Sequence, residues 1–299
     1  MSKISVLVIT KNEEENIEDC LKSVKWADEI LVIDTGSLDK TIDLAKKHAT
    51  RVYAHPKVDY VEPVRNFALT KATGDWILFL DADERIPSVL SKKLQELTKT
   101  EPAAYKISRK NIIFGKWMKH AGWWPDYNIR FFKKGLVKWN DEIHSQPNVK
   151  GNIALLDPSE ELSILHYNYS TLSQYLSKML TYTTIQAEEL IEKEIEIQKS
   201  DFITYPFNEF MRRYFAKKGY SDGIHGFVLS FLQGFSEFLV ITRVWEKQGF
   251  KEEDKFLNVF FWQWKNIQKE VSYWITTSRM NDSKSFIKKI GYKIKRKIG

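Results

Sequence analysis

WILFLDADE, residues 76–84, is the segment from which the architecture of this chain follows. Five apolar residues in a row predict a buried strand, and Asp81 and Asp83 come where that strand ends. Side chains two positions apart in an extended chain point to the same side, so both carboxylates can converge on one small object. Hard carboxylate oxygens suit Mg²⁺ or Mn²⁺, particularly a cation that is shared with a diphosphate. A polar strand end before a helix is the simpler interpretation of the same residues.

The sequence before this segment alternates between short apolar runs and amphipathic stretches. Strands are predicted at residues 4–9, 30–33 and 51–54, and helices between them end near residues 24, 48 and 72. This alternation predicts an α/β fold with a doubly wound, mostly parallel sheet. Ligands of such sheets lie beyond the carboxyl ends of the strands. The polar residues that fall there are Thr10, Asn12, Glu13, Asp34, Asp81 and Asp83.

No glycine-rich phosphate-binding motif of the dinucleotide or P-loop type occurs in the sequence. A bound diphosphate would therefore need a metal and basic side chains for neutralisation, and Asp81 and Asp83 are the candidates to hold that metal. Thr10, Glu13 and Asp34 have side chains that can accept hydrogen bonds from a nucleotide base or from ribose hydroxyls.

Composition narrows the class of protein. The 299 residues are 43% hydrophobic and 28% charged, which is typical of a soluble globular protein. The single cysteine, Cys20, excludes an intramolecular disulfide and fits a reducing compartment. The pattern of the first residues does not predict a signal peptide. The longest apolar stretch, residues 226–241, contains Gln233 and Glu237, so we expect it to be too short and too polar to cross a membrane.

The net charge of +7 belongs to the end of the chain. Residues 284–299 contain seven basic residues and no acidic ones, so residues 1–283 are formally neutral. This distribution argues against a nucleic-acid groove across the main body. A basic tail that alternates lysines with apolar residues instead suits an anionic membrane surface, although a disordered solubilising tail has the same composition.

From residue 171 the sequence becomes helical in its spacing, and the charged run at residues 188–199 is expected to continue as a solvated helix. Residues 201–280 are rich in aromatic residues. Four cations, Arg212, Arg213, Lys217 and Lys218, lie within that region. Aromatic side chains next to cations are typical of proteins at a bilayer interface. A plain helical core or a homodimer interface is the alternative interpretation.

Several motifs occur in a fixed order along the first 170 residues. They are TKNEE at 10–14, VIDTGSLDKT at 32–41, RNFAL at 65–69, LDADE at 80–84, GWWPDYNIRFFKKG at 122–135, WNDEIH at 139–144 and LHY at 165–167. Together they resemble family 2 glycosyltransferases of the GT-A fold, in the branch that contains lipopolysaccharide inner-core β-glucosyltransferases. The similarity extends over roughly residues 3–250.

The resemblance implies a role for each matching residue on the donor side. Thr10, Asn12, Glu13, Asp34 and Arg65 would line the nucleotide pocket of a UDP-sugar. Asp81 would lie near the ribose and the metal, and Asp83 would ligate the Mg²⁺ or Mn²⁺ that bridges the diphosphate. The implied reaction is inverting transfer of a hexose, in which an acceptor hydroxyl attacks the anomeric carbon.

On the acceptor side, Asp126 is the candidate general base because family members place an aspartate shortly before an arginine such as Arg130. Trp123 and Trp124 could form an apolar platform for a sugar ring, and Arg130 is a further candidate for the acceptor pocket. Asp141 and Glu142 are rival carboxylates, with Glu142 also a candidate for the acceptor pocket. His144 is a candidate third metal ligand, and a buried structural histidine is the alternative interpretation for both His144 and His166.

We therefore expect a catalytic nucleotide-sugar-binding domain at residues 1–168, an aromatic-rich helical region at 169–283 and a basic tail at 284–299. The expected acceptor is a glycolipid or a lipid-linked glycan, and the expected location is the cytoplasmic face of the cell membrane. A polyprenyl-phosphate glycosyltransferase is the related alternative. From other classes, a sugar-phosphate nucleotidyltransferase would open with a glycine-rich loop, and a non-catalytic membrane adaptor would leave the strand-end carboxylates without a purpose.

Overall fold

The computed structural model describes residues 2–56, 62–139, 147–251, 254–283, 285 and 288–293. The strands are β1 Ile4–Thr10, β2 Glu29–Asp34, β3 Arg51–Ala54, β4 Trp76–Asp81, β5 Glu84–Arg85, β6 Ala104–Ile113, β7 Lys116–Trp117, β8 Asp126–Lys133, β9 Val137–Lys138, β10 Asn148–Val149, β11 Ile153–Leu155 and β12 Ile164–Tyr169. The helices are α1 Ile17–Ser23, α2 Thr41–Ala45, α3 Glu62–Lys71, α4 Ser88–Leu97, α5 Leu172–Glu192, α6 Asp201–Met211, α7 Ile224–Lys247 and α8 Phe256–Asp282.

The chain divides into two compact units. The first consists of Met1–Trp117 and Trp124–Asn168, and the second of Met118–Trp123 and Tyr169–Gly299. The sequence interpretation placed residues 118–123 in the catalytic domain, whereas the structure groups this short segment with the helices of the second unit.

The first unit is built on one large sheet with strand order β3-β2-β1-β4-β8-β6-β12-β5. Strand β1 pairs in parallel with β2 and β4, and β2 pairs in parallel with β3. Strand β8 runs antiparallel to both β4 and β6, so the sheet changes direction beyond β4. The predicted GT-A-type α/β class, with a mostly parallel sheet and an aromatic-rich helical extension, is confirmed.

Two apolar layers cover the parallel half of this sheet. Val6 and Val8 point to one face and pack in a cluster with Ile17 and Leu21 of α1. Leu7, between them, points to the opposite face and packs in a second cluster that includes residues of α3. Side chains alternate between faces along a strand, so a continuous apolar run is what a sheet covered on both faces requires.

The second unit is helical within the described ranges. Thr171 and Gln174 form a capping box that begins α5. The sequence interpretation extended a solvated helix from residue 188 to residue 199, which is wrong: α5 ends at Glu192, and Glu194 has a φ of +52°. A left-handed backbone conformation cannot continue a right-handed helix, so the charged run turns back before α6.

Helix α7 presents its small residues to its neighbours in the second unit. A Cβ atom at Gly226 would lie 1.8 Å from the carbonyl oxygen of Gly219, and one at Gly234 would lie 2.6 Å from that of Pro206. Both distances are shorter than any non-bonded contact, so only glycine permits this approach. Two glycines eight residues apart therefore fix the face that α7 buries.

The same helix is longer than the apolar stretch identified in the sequence. It spans 24 residues, Ile224–Lys247, and among the described residues it alone is long and apolar enough to cross a membrane, judged by length and composition. The core helix of a soluble protein passes the same test, so this finding by itself is weak support for a membrane span.

Candidate functional site

The carboxyl ends of three adjacent parallel strands meet at one edge of the sheet in the first unit. Thr10 at the end of β1 is in register with Asp34 at the end of β2. Ile9 is in register with Asp81 at the end of β4. The candidate residues of these strand ends are therefore brought together, as the doubly wound pattern predicted.

The loops after β1 and β2 are tied together by side-chain hydrogen bonds. The backbone N–H of Asn12 donates to Ser37 Oγ at 2.8 Å, and the N–H of Leu38 donates to Asn12 Oδ1 at 2.8 Å. The N–H of Glu13 donates to Thr41 Oγ1 at 2.7 Å. Asn12 has a φ of +54°, a conformation that asparagine tolerates. Asn12 thus joins two loops, which is a structural role in addition to its predicted place beside the nucleotide.

Asp34 is buried and supports the turn that follows it. Its Oδ2 accepts hydrogen bonds from the N–H groups of Gly36 at 2.9 Å and Ser37 at 3.0 Å, and its Oδ1 accepts one from Ser37 Oγ. Thr10 differs, because its buried Oγ1 has no hydrogen-bond partner among the described residues. A buried polar atom without a partner is costly, so Thr10 Oγ1 is available to a ligand at this edge.

Glu13 and Arg65 lie on either side of these strand ends. Glu13 Oε2 accepts a hydrogen bond from Asn16 Nδ2 at 2.8 Å, which holds the start of α1. Arg65, on α3, places its guanidinium 5.5 Å from the centre of the Trp139 ring, and its positive charge acts on Asp81.

A chain of five charged side chains connects Asp81 to Asp126. Arg130 Nη2 donates to Asp81 Oδ2 and, at 2.7 Å, to Glu84 Oε1. Arg109 lies 3.8 Å from the same Glu84 oxygen and donates through Nε to Asp126 Oδ2 at 2.8 Å. Arg130 was expected to line an acceptor pocket. Its side chain is 7% exposed and lies among the carboxylates, and its place in an acceptor pocket stays a prediction.

The charges of this chain shift the pKa values of its acids in opposite directions. Burial raises the pKa of the Asp81 carboxyl, but the positive charges of Arg130 and Arg109 outweigh burial and hold that pKa well below its usual range. Burial raises the pKa of Glu84, and the negative charge of Asp81 adds to the rise although Arg130 opposes it. Asp81 is thus held ionised beside an arginine that shares its charge with Glu84.

Asp83 occupies a different environment from Asp81. Its side chain is 12% exposed, and its Oδ2 lies 3.5 Å from His166 Nε2. Its Oδ1 is buried and has no hydrogen-bond partner in the described part of the chain. A buried carboxylate oxygen without a donor, beside a histidine nitrogen, is a donor set that suits a divalent cation.

His166 reaches this position through a pairing between distant strands. Strand β12 runs antiparallel to β5, with His166 opposite Glu84, and the N–H of Tyr167 donates to the carbonyl oxygen of Asp83 at 2.9 Å. His166 Nδ1 bonds Oδ1 of the buried Asn111 at 2.6 Å. The ligand candidates Asp83 and His166 therefore lie next to each other. Where the structure describes the chain, it contains no group of three or more side chains that could hold a metal.

The sequence interpretation did not single out Arg109, Asn111 or Glu84. Arg109 and Asn111 are two positions apart on β6, in a run that is otherwise suited to a strand, so they point to the same face. A cationic and an amide side chain on one face of a buried strand indicate a polar site, and this pattern could have identified Arg109 and Asn111.

The predicted acceptor-side residues fall in different places. Trp124 belongs to the first unit, where its ring meets that of Trp117 edge to face at 5.2 Å. Trp123 belongs to the second unit, where the Arg213 guanidinium lies 5.5 Å from its ring centre. Glu142 and His144, like Asp141, lie outside the described residues, so their roles stay predictions.

We expect that Arg130→Met lowers the free energy of unfolding by about 3–5 kcal/mol, because it leaves the buried Glu84 carboxylate without its closest cation. Urea denaturation measures the change, and adding Glu84→Gln should recover part of it. Lys93→Met is the control: Lys93 is exposed and pairs with Glu96 at 3.3 Å, so its loss should change stability by less than about 0.5 kcal/mol. Equal effects of the two methionine variants would contradict the role given to Arg130.

The sequence of this chain is similar to those of several known proteins. Residues 5–149 match the family described as glycosyl transferase family 2. A protein of Rickettsia typhi named as an uncharacterized glycosyltransferase is 27% identical over 263 residues, which cover 82% of this chain and 88% of that protein. The lipopolysaccharide core biosynthesis glycosyltransferase LpsC of Rhizobium meliloti is 24% identical over 262 residues, which cover 83% of this chain and 94% of LpsC.

One similar solved structure is that of glucosyl-3-phosphoglycerate synthase from Mycobacterium tuberculosis in complex with Mn²⁺, uridine diphosphate and glucosyl-3-phosphoglycerate. It has a TM-score of 0.43 and 17% sequence identity to this chain, covering 66% of this chain and 82% of its own.

Proposed function

Because this chain is a glycosyltransferase, with residues 5–149 forming its family 2 domain, we propose that it transfers a hexose from a UDP-sugar to a hydroxyl of a glycolipid or lipopolysaccharide-core-type acceptor. The transfer inverts the configuration of the sugar and depends on Mg²⁺ or Mn²⁺. The observation that carries this proposal is the buried Asp83 carboxylate just beyond β4: one of its oxygens has no hydrogen-bond partner among the described residues, and the other faces His166.

Asp83 and His166 are the residues that would hold the cation, with Asp81 next to them. Magnesium-type sites commonly combine one or two protein carboxylates with substrate phosphates, so two protein ligands are sufficient. When bound, the cation supplies positive charge that stabilises the departing diphosphate. His144, predicted as a further ligand, lies outside the described residues.

The donor nucleotide would bind at the ends of β1 and β2. Thr10 Oγ1 has no hydrogen-bond partner where the structure is described, so it can accept or donate a bond to the nucleotide. Asp34 shapes the turn after β2, and Glu13 begins α1 beside it. Arg65 brings positive charge to the Asp81 side of the pocket, where a phosphate would lie.

Asp126 would accept the proton of the acceptor hydroxyl. Its Oδ2 accepts hydrogen bonds from Arg109 Nε at 2.8 Å and from Asn111 Nδ2 at 3.2 Å. Its Oδ1 accepts one from Asn128 Nδ2 at 3.2 Å, and the side chain is 28% exposed. Oδ1 is thus the oxygen with room for a substrate hydroxyl, while Arg109 keeps the carboxylate oriented.

A panel of nucleotide sugars tests the proposal. The release of nucleoside diphosphate is followed with Mn²⁺ or Mg²⁺, in the presence and absence of a membrane glycolipid extract. We expect release from a UDP-hexose that requires both the extract and the cation and that stops when the cation is chelated. Release that continues after chelation, or no release from any donor, would contradict the proposed reaction.

The second unit supports a location at an anionic membrane surface. Along α7, five large apolar side chains are between 37% and 75% exposed: Ile224, Phe227, Phe231, Phe235 and Phe238. They recur every three or four residues and so form one stripe, whereas the small residues of the helix face its neighbours. A helix in water normally has the opposite arrangement, with large apolar residues inside.

Rings of α6 and the turn after it extend this stripe. The Phe210 ring meets those of Phe227 at 5.9 Å and Phe231 at 6.5 Å, and it stacks on Tyr214 at 5.4 Å. Exposed lysines 217 and 218 follow directly in the chain. Aromatic rings beside cations match the chemistry of the headgroup region of an anionic bilayer, which is where a glycolipid acceptor resides.

We expect Phe231→Asp to weaken binding to vesicles of phosphatidylethanolamine and phosphatidylglycerol by about tenfold or more. The substitution removes apolar burial worth about 1.5–3 kcal/mol and introduces a charge. Deleting residues 284–299 should weaken binding mainly at low salt, because the contribution of these residues to membrane binding is electrostatic. Val89→Asp is the control, since Val89 is 45% exposed on α4 of the first unit. Equal sedimentation of the two aspartate variants with vesicles would contradict the membrane role, and loss of a dimer by Phe231→Asp would indicate a second copy as the occupant.

A further inference from the structure

Asn111 bridges the two halves of the proposed site. It lies on β6, is fully buried, and touches a residue on each side with its side-chain amide. Its Nδ2 donates to Asp126 Oδ2 at 3.2 Å, and its Oδ1 lies 2.6 Å from His166 Nδ1. The candidate base and the candidate cation ligand are therefore connected through a single amide.

The chemistry of the three groups fixes the direction of these hydrogen bonds. The Asp126 carboxylate, paired with Arg109, can only accept, so the amide nitrogen of Asn111 must face it. The amide oxygen of Asn111 then faces His166, and an oxygen can only accept. His166 must therefore carry a proton on Nδ1, and neutral His166 presents the lone pair of Nε2 toward Asp83 Oδ2 at 3.5 Å.

We propose that Asn111 is a positioning residue that selects the Nδ1–H tautomer of His166, so that Nε2 can serve as a cation ligand with Asp83, and that holds Asp126 in place through the other end of its amide. This inference rests on the proposed function. A neutral imidazole nitrogen and a carboxylate oxygen that face each other with lone pairs repel unless a proton or a cation lies between them, so with the neutral ring the arrangement suits a bound cation.

Two substitutions separate the two ends of the amide. Asn111→Leu removes both hydrogen bonds, and we expect Mn²⁺ affinity, measured by titration calorimetry with UDP present, to fall about 10–100-fold. Asn111→Asp keeps an acceptor for His166 Nδ1–H but places a carboxylate against Asp126. We expect this variant to bind Mn²⁺ no more weakly than the wild type while its kcat falls by about 100-fold or more.

Asn128→Ala is the matched control, because Asn128 bonds Asp126 at 3.2 Å and, among the hydrogen bonds of the described residues, does not bond His166. Its Mn²⁺ affinity should equal that of the wild type. If the wild type itself bound no Mn²⁺, the proposed function would fail. If the wild type and Asn111→Leu bound Mn²⁺ equally, the function would stand and the role of Asn111 would be wrong.

The tautomer of His166 can also be measured without metal or substrate. Nitrogen-15 spectra of histidine-labelled wild-type protein contain six imidazoles, and His166→Gln identifies the signal of interest. At a pH where the ring is neutral we expect Nδ1 to be protonated and Nε2 to show the shift of an unprotonated nitrogen. The opposite tautomer would overturn the inference, even if neither substitution of Asn111 yielded a folded protein.

Discussion

Asp83→Asn should abolish detectable Mn²⁺ binding and lower kcat/KM by about 1000-fold or more. The substitution keeps the shape of the side chain but removes the negative charge from a position that is 12% exposed, where one oxygen has no partner in the described part of the structure. A neutral amide is a poor ligand for a hard divalent cation, and without the cation the charge on the leaving diphosphate is not stabilised. Calorimetry with MnCl₂ in the presence of UDP and initial rates of UDP release measure the two effects.

The same strand offers a control for this substitution. Asp75 precedes β4 at its amino end, is exposed, and accepts a hydrogen bond from the N–H of Lys3 at 2.9 Å. Asp75→Asn makes the identical chemical change at the opposite end of the strand and should alter kcat/KM by less than about twofold, as surface substitutions generally do. Wild-type metal affinity in Asp83→Asn would show that the cation binds elsewhere or not at all.

Asp126→Asn should lower kcat by about 100- to 10 000-fold while the Kd for UDP with Mn²⁺ stays within about twofold of the wild type. A positioned general base typically contributes this much to a rate, and an amide cannot accept the proton of the acceptor hydroxyl. Donor binding should persist because Asp126 is at the start of β8, whereas the nucleotide residues follow β1 and β2. Single-turnover rates and UDP binding by calorimetry separate the two quantities.

Asp157→Asn is the comparison for this second substitution, because Asp157 is an exposed residue of the same unit. We expect it to transfer sugar at the wild-type rate. Near wild-type turnover by Asp126→Asn would remove Asp126 from consideration and favour Glu142 or Asp141 as the base. Loss of UDP binding in Asp126→Asn would instead assign this carboxylate to the donor side.

The parallel half of the fold was predictable because each of its strands is a local apolar run with polar residues at its end. The sequence also predicts that Asp81 and Asp83 follow the same strand, but residues 82 and 83 form a turn, so the two carboxylates contact different partners. The antiparallel half was not predicted, because β8 and β12 pair with strands that are distant in the sequence. His166 reaches Glu84 only through the pairing of β12 with β5, and no local pattern reveals that register.

The outward face of α7 shows a second limit of sequence reasoning. Periodicity identifies an apolar helix but does not tell which of two apolar faces is packed, because both satisfy the same spacing. The close approach of Gly226 to Gly219 decides it, and this contact is a tertiary property. The aromatic content of the second unit is therefore evident from the sequence, but the face of α7 that carries the exposed rings is not.

The balance of charge around Glu84 has a consequence for the order in which substrates arrive. Asp81, Asp83, Glu84 and Asp126 oppose Arg109 and Arg130, so the cluster carries a formal charge of −2. Even with Arg65 counted in, the sum stays negative. A nucleotide anion that approached this cluster alone would be repelled, whereas a divalent cation would be attracted and would remove that repulsion. The cation should thus bind before the nucleotide or together with it.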